Sequence, residues 1–125
     1  MSGGTVKALL FVDDEPSLVE FVTELFEDEG YKMRGEQDAH TALAVFLEDP
    51  DAFDLIITDQ TMPGMLGTEF ARSVRAVNTT IPIILCTGFS DEIAQTALSE
   101  KVVDAMLQKP VRAVSLIEAV EAHLS

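Results

Sequence analysis

The sequence predicts an α/β domain built on a parallel sheet, and two features of the chain support this. Five short, almost wholly apolar runs alternate with five longer segments in which apolar residues recur at helical spacing. Continuous apolar runs are typical of strands that helices cover on both faces. Parallel strands also need crossover connections, so the order βαβαβαβαβα predicts a sheet with helices on both sides.

The five apolar runs are the predicted strands. They are, in chain order, Ala8–Val12, Tyr31–Met33, Leu55–Ile57, Ile83–Leu85 and Ala105–Leu107. The second and the fifth are the weaker predictions because their apolar runs are less distinct.

Residues that favour helix ends delimit the predicted helices. The first helix begins at Pro16, whose ring suits the first helical position, and ends at Gly30, which suits the position after the last turn. Asp38 is the predicted N-cap of the second helix. The second to fifth helices are predicted over about 39–47, after Gly67, after Ser90 and over about 112–124.

The charge balance argues against nucleic acid or a membrane as a direct partner. The 125 residues include 22 acidic and 8 basic side chains, which gives a formal net charge of −14. A surface this acidic repels phosphate backbones and anionic lipid. No apolar run reaches the ~20 residues that a membrane-spanning helix needs. We therefore expect protein partners.

The chain start and the cysteine content indicate a cytoplasmic domain. Residues 1–5 lack the charged and apolar regions of a signal peptide, so we interpret them as a disordered lead-in to a single domain over 6–125. The one cysteine, Cys86, fits a reducing compartment. We expect it to be a small buried hydrophobe rather than a redox group.

Polar side chains follow four of the predicted strands. Asp13 and Asp14 follow the first, Asp59 the third, Thr87 the fourth and Lys109 the fifth. Because ligands of open α/β sheets bind beyond the carboxyl ends of the strands, these residues are expected to converge at one edge. One acidic pair there could be a helix cap, but four polar strand ends predict a site.

Three carboxylates at one edge repel one another and need a cation. The repulsion is about 3 kcal/mol per pair at ~5 Å and an effective dielectric constant of ~20. Lys109 supplies one positive charge. Carboxylate and backbone oxygens favour a hard cation such as Mg²⁺. A metal beside a carboxylate also suits phosphoryl transfer to that carboxylate.

Four motifs in this chain order resemble the response-regulator receiver family. They are Val12-Asp13-Asp14-Glu15, Asp59 with Met62-Pro63-Gly64, Thr87-Gly88 and Lys109-Pro110. The resemblance covers the chain from about Val6 to Leu124. It implies a flavodoxin-like, doubly wound fold with sheet order 2-1-3-4-5, and a phosphorylated signalling switch rather than an enzyme.

The resemblance implies a phosphoryl-binding role for three residues. Asp59 would accept the phosphoryl group, and the Thr87 hydroxyl and Lys109 would bind it. The Lys109–Pro110 peptide bond would be cis. The phosphodonor would be a phosphohistidine on a sensor histidine kinase or a histidine phosphotransfer domain.

The resemblance also implies a site for Mg²⁺ or Mn²⁺. Asp14 and Asp59 would bind the metal directly, and Asp13 mainly through water. The backbone carbonyl of Thr61, two residues after the acceptor, would complete the protein ligands.

A partner surface and a switch are further implications of the resemblance. Leu18 and Pro110 would meet the donor kinase, although Leu18 could equally be a core residue. The switch would involve Thr87 and Met106, which stands three residues before the lysine, where the family usually has an aromatic residue. A muted switch at the fourth helix–fifth strand face is therefore expected, in a monomer or a weak phosphorylation-dependent dimer.

Several alternatives stay open at this point. Leu85-Cys86-Thr87-Gly88-Phe89-Ser90 is similar to receivers of hybrid sensor kinases, but a stand-alone regulator also fits. Phe89 cannot hydrogen-bond a hydrolytic water, which predicts a long-lived aspartyl phosphate.

A partner-binding receiver that is not phosphorylated would lack Asp59, Lys109 or a member of the acidic pair, and none is lost. A haloacid-dehalogenase-type phosphatase would have its two acids two residues apart after the first strand, whereas the acids here are adjacent. An FMN carrier would need a phosphate-binding loop in place of Asp-Asp-Glu-Pro.

Overall fold

Strands and helices alternate along the chain as the apolar pattern predicts. The computed structural model describes residues 6–88 and 91–124, so the predicted lead-in at 1–5 and Phe89 lie outside the described residues. The strands are β1 (Ala8–Val12), β2 (Lys32–Glu36), β3 (Leu55–Asp59), β4 (Ile83–Thr87) and β5 (Ala105–Gln108). The helices are α1 (Pro16–Asp28), α2 (Ala39–Glu48), α3 (Gly67–Arg75), α4 (Glu92–Ser99) and α5 (Ala113–Leu124).

The strands form one parallel sheet in the order β2-β1-β3-β4-β5, which confirms the predicted order. Every residue of β3 and β4 is buried. Successive side chains of these strands enter two different cores, as the pleat requires. Ile56 packs with Phe46 and Phe70 of α2 and α3, whereas Ile57 packs with apolar residues of α1 and α5.

The helix ends follow the predicted signals closely. Pro16 is the first residue of α1, and Gly30 has a positive φ of 95° just past its end. Asp38 caps α2 by accepting a 2.8 Å hydrogen bond from the Thr41 amide. Val77 continues the helical spacing of Phe70 and Val74, but α3 ends at Arg75 and Val77 is 51% exposed. The loop begins before Val77, so this side chain is not on the packed helix face.

The strand boundaries differ from the prediction in two ways. β2 begins and ends later than predicted and exposes Lys32 and Arg34. It pairs with β1 alone, and an edge strand tolerates polar side chains that a central strand would have to bury. β3 and β4 extend far enough that Asp59 and Thr87 are their last residues. These two side chains are therefore positioned by hydrogen-bonded strands rather than by loops.

No helix within residues 6–88 and 91–124 is long and apolar enough to cross a membrane.

Candidate functional site

The carboxyl edge of the sheet brings three acidic side chains together. Asp13 follows β1 directly, and Asp59 ends β3 beside it. One carboxylate oxygen from each of Asp13, Asp14 and Asp59 lies within 4.8 Å of the other two. Asp13 and Asp59 are buried and Asp14 is exposed, so the cluster has one side open to solvent.

Lys109 supplies a positive charge to this cluster. Its Nζ atom forms an ion pair with Oδ1 of Asp59, and its side chain is 38% exposed. Apart from this ion pair, the buried Oδ1 atom receives no hydrogen bond from the described residues. The Lys109–Pro110 peptide bond is cis, as predicted.

The surroundings of Asp13 and Asp59 disfavour the charged form of these carboxylates. Burial raises the pKa of Asp59 above its usual value of 3.8, although Lys109 acts against this shift. Burial likewise raises the pKa of Asp13, against the hydrogen bond that its side chain accepts from the Glu15 amide. Burial alone would lower the pKa of Lys109, but Asp59 and Asp13 raise it above 10.5. Because burial disfavours the negative charge of these carboxylates, their oxygen atoms are suited to bind a hard divalent cation.

The chain after β3 is tied back to the sheet at Gln60. The Gly67 amide donates to the main-chain oxygen of Gln60 at 2.8 Å, and the Thr68 amide donates to its side-chain Oε1 at 2.8 Å. The Nε2 atom of Gln60 donates in turn to the Thr68 hydroxyl at 3.3 Å. Gln60 and Thr68 are both buried. These bonds close the base of the loop over residues 61–66, on which Thr61 is exposed.

Thr87 has a hydrogen-bond partner that the sequence motifs do not indicate. Its buried hydroxyl donates to Oδ2 of Asp91 at 3.1 Å. The other carboxylate oxygen of Asp91 accepts a 3.0 Å hydrogen bond from the Ala94 amide, so Asp91 is also the N-cap of α4. Met106 lies beyond this pair, half-buried against the core that includes Ala94.

Comparison with known proteins assigns the family. A family model described as the response regulator receiver domain matches residues 9–121. The chain belongs to this family.

The relatives of this receiver domain are response regulators. The sensory transduction protein RegX3 of Mycobacterium tuberculosis is 32% identical over 117 residues, which are 94% of this chain and 50% of RegX3. The DNA-binding response regulator MtrA of Mycolicibacterium smegmatis is 32% identical over 116 residues, which are 93% of this chain and 50% of MtrA. The receiver domain thus spans about half the length of the curated relatives it matches.

Solved structures share the fold of this receiver domain. The chemotaxis protein CheY4 of Vibrio cholerae is 28% identical with a TM-score of 0.84, over 96% of this chain and 100% of CheY4. The response regulator TrrA of Thermotoga maritima, in complex with Mg²⁺-BeF, is 32% identical with a TM-score of 0.81, over 95% of this chain and 100% of TrrA. The acidic pocket of Asp13, Asp14 and Asp59 fits the phosphoacceptor site of such receiver domains.

A cavity of about 460 Å³ opens beside the acidic cluster of the receiver domain. Leu18 and Pro110, which were predicted to share a surface, both line it, together with Phe21 of α1. Asp13 and Lys109 lie in the same wall, so the cavity adjoins the carboxylates. Leu18 is half-buried, whereas Phe21 is 52% exposed.

Cys86 is buried on the inner side of this cavity, as predicted. Burial raises the pKa of its thiol to about 12. Burial therefore disfavours the thiolate, which is the reactive form of cysteine.

Proposed function

We propose that this receiver domain, over residues 6–125, accepts a phosphoryl group on Asp59. The observation that carries the proposal is the position of Asp59, buried at the end of β3 with Lys109 on one oxygen and two further carboxylates within 4.8 Å. This arrangement leaves a nucleophilic oxygen beside groups that can hold an incoming phosphoryl group. The donor is a phosphohistidine on a sensor histidine kinase or a histidine phosphotransfer domain.

The transfer is an in-line substitution at phosphorus. A carboxylate oxygen of Asp59 forms the new P–O bond while the P–N bond to the donor histidine breaks, and the imidazole keeps the electron pair. Lys109 pairs with the negative charge of the phosphoryl oxygens, and the Thr87 hydroxyl donates a hydrogen bond to one of them. The domain is modified once rather than turning over a substrate, so it is a switch and not an enzyme.

The same carboxylates fit Mg²⁺ or Mn²⁺. The donor set is all oxygen: Asp14, Asp59 and the backbone carbonyl of Thr61 would bind the metal directly, and Asp13 mainly through water. Among residues 6–88 and 91–124, the buried Oδ1 atom of Asp59 pairs with Lys109 alone, so a second cation would stabilise the remaining negative charge of the pocket. The metal neutralises charge on the transferred phosphoryl oxygens when it is bound.

The cavity beside the cluster fits the donor protein. Leu18 and Pro110 offer apolar contacts directly next to Asp13 and Lys109. A helix of the donor packed here would bring its histidine to Asp59. A histidine donor and the unpaired Cys86 both fit a cytoplasmic domain.

The output is a change at the α4–β5 face that starts from Thr87. Met106 takes part as a flexible side chain without a ring, so its inward and outward states differ little in energy and the switch is muted. The domain acts as a monomer or as a weak dimer that forms on phosphorylation, without direct binding to nucleic acid or a membrane.

Acetyl phosphate with Mg²⁺, followed by intact mass, tests the acceptor assignment. We expect the mass of one phosphoryl group on the parent domain and none on Asp59→Asn. Glu20→Gln, which neutralises an exposed acid on α1, is the matched control and should label like the parent. Undiminished labelling of Asp59→Asn would overturn the assignment.

Calorimetry with Mg²⁺ tests the metal site separately. We expect modest affinity in the parent domain and loss of binding in Asp14→Ala, because Asp14 is the exposed ligand that reaches the metal directly. Normal phosphorylation of Asp14→Ala without metal dependence would reject the metal assignment.

A further inference from the structure

We propose that Asp91 holds the Thr87 hydroxyl away from the phosphoryl group and that breaking this hydrogen bond passes the signal to α4. The inference rests on the proposed function of Asp59 and adds a residue that this function does not include. Asp91 is a positioning residue, since it acts through Thr87 and through the helix it caps.

A hydroxyl group has one proton to donate. In this structure the Thr87 proton is given to Oδ2 of Asp91 at 3.1 Å. A phosphoryl oxygen on Asp59 needs the same proton, so Asp91 and the phosphoryl group compete for it. Phosphoryl binding therefore replaces one hydrogen bond of Thr87 by another.

The bond to Asp91 links Thr87 directly to the start of α4. The carboxylate that accepts from Thr87 also accepts from the Ala94 amide at 3.0 Å, and the main-chain oxygen of Asp91 accepts from Gln95 at 3.0 Å. When Thr87 no longer donates to Oδ2, the Asp91 side chain that caps α4 loses its link to Thr87. The first turn of α4 presents Ile93, which is 56% exposed, so a shift at this cap alters an apolar part of the surface.

Asp38 shows what an ordinary cap looks like in this chain. It accepts from the Thr41 amide at 2.8 Å and from the Thr41 hydroxyl at 3.0 Å, both within its own helix. Asp91 instead joins its helix to the last residue of β4. Asp38 is therefore a matched control for any change in capping or in charge.

The variant Asp91→Asn keeps the helix cap but removes the competition for the Thr87 proton. Asparagine caps helices as well as aspartate does, so the bond from Ala94 is kept. Its oxygen keeps the position of Oδ1 beside the Ala94 amide, and the NH₂ group that replaces Oδ2 can only donate to Thr87. The Thr87 proton becomes available to the phosphoryl site while the size of the side chain is unchanged.

The probe is beryllium fluoride with Mg²⁺, followed by NMR of the ¹⁵N-labelled domain. We expect Asp91→Asn to bind the probe about threefold to tenfold more tightly than the parent, the range for one hydrogen bond. The amide shifts of Ala94 and Gln95 on binding should also be smaller in Asp91→Asn, because residue 91 then accepts no hydrogen bond from Thr87 that phosphoryl binding could break. Asp38→Asn should match the parent in both respects.

A double-mutant cycle with Thr87→Val separates the hydrogen bond from the charge of Asp91. We expect Asp91→Asn to give no gain in affinity in the Thr87→Val background. A gain that persists there, or unchanged affinity in Asp91→Asn with its helix intact, overturns the role of Asp91. If the parent binds the probe, Asp59→Asn abolishes this binding and Asp91→Asn gives no gain, then the role of Asp91 is overturned while the proposed function stands. Failure of the parent to bind the probe overturns the proposed function as well.

Discussion

A β-carbon added to Gly67 would lie 2.2 Å from the main-chain oxygen of Asp59. The start of α3 is thus packed against the last residue of β3, and only a residue without a side chain fits between them. The Gly67 amide also donates to the oxygen of Gln60, the next residue after Asp59. The position of the Asp59 backbone therefore depends on the close approach of α3.

Gly67→Ala is expected to destabilise the domain by about 1–3 kcal/mol, the usual cost of overpacking. The clash is with backbone, which cannot rotate away, and the Cδ1 atom of Leu85 is also only 2.9 Å from the added carbon. Urea unfolding measures the change. Gly88→Ala is the control, because no neighbouring atom of the described residues lies within 4 Å of an added carbon there. Equal unfolding midpoints for the two variants would contradict this account of the packing.

The sequence predicted the members of the site because they follow from topology. Once the order of strands and helices is known, the carboxyl ends of parallel strands must meet at one edge, and Asp13, Asp59 and Thr87 lie at those ends. The roles of the individual residues, including the carbonyl of Thr61, are still predictions. They depend on bound groups rather than on the fold.

The hydrogen-bond partners within the site could not be predicted in the same way. Asp91 precedes a helix and would be interpreted as an ordinary cap, because its bond to Thr87 depends on how α4 meets β4. Gln60 is a polar residue between a strand and a loop, and its burial depends on Thr68 lying beside it. Such contacts are set by tertiary packing and leave no periodic pattern in the sequence.

Asp59→Asn is expected to stabilise the domain in the absence of metal. Burial raises the pKa of Asp59 in the folded state, so between the unfolded value of 3.8 and the folded value the folded state binds more protons. The free energy of unfolding therefore falls as the pH rises through the folded pKa. Asparagine does not ionise and avoids this loss.

Thermal unfolding with a chelator measures this effect. Near neutral pH the midpoint should rise by about 2–5 °C in Asp59→Asn. The difference should shrink as the pH falls toward 3.8, where the parent carboxylate becomes protonated. Glu20→Gln is the control for loss of one negative charge from the surface. A lower midpoint for Asp59→Asn near neutral pH would mean that the ion pair with Lys109 outweighs burial.

Gln60→Met is expected to loosen the loop that carries Thr61. Methionine is similar in length but pairs with neither the amide nor the hydroxyl of Thr68, which are both buried. Leaving them unpaired costs about 1–3 kcal/mol in unfolding free energy. Hydrogen exchange at the Thr68 amide should accelerate, and calorimetry should show weaker Mg²⁺ binding. Thr68→Ser keeps both groups and should resemble the parent, and a Gln60→Met domain with parental exchange and affinity would refute the role of Gln60.

Met106 is expected to respond weakly to occupation of the site. It is half-buried, and because methionine is flexible, its inward and outward states should differ little in energy. Amide shifts on addition of beryllium fluoride and Mg²⁺ should be large near Thr87 and small over β5. Met106→Leu should leave this pattern unchanged, whereas Met106→Tyr should enlarge the β5 shifts. Large shifts across the whole α4–β5 face of the parent domain would contradict this prediction.

Leu18→Ser and Phe21→Ser are expected to slow phosphorylation by a protein donor and not by a small molecule. Both side chains line the cavity beside Lys109, where a donor helix would pack, and acetyl phosphate needs no such contact. With a histidine kinase that labels the parent domain, the rate of transfer should fall about tenfold, the effect of losing an apolar anchor. The rate with acetyl phosphate should stay within about twofold of the parent, the difference that ~0.4 kcal/mol produces.

Val114→Ser changes a residue that is 66% exposed on α5 outside the cavity and should affect neither rate. Equal losses with both donors would show that these substitutions disturb the acceptor site itself, and no loss with the kinase would place the donor on another surface.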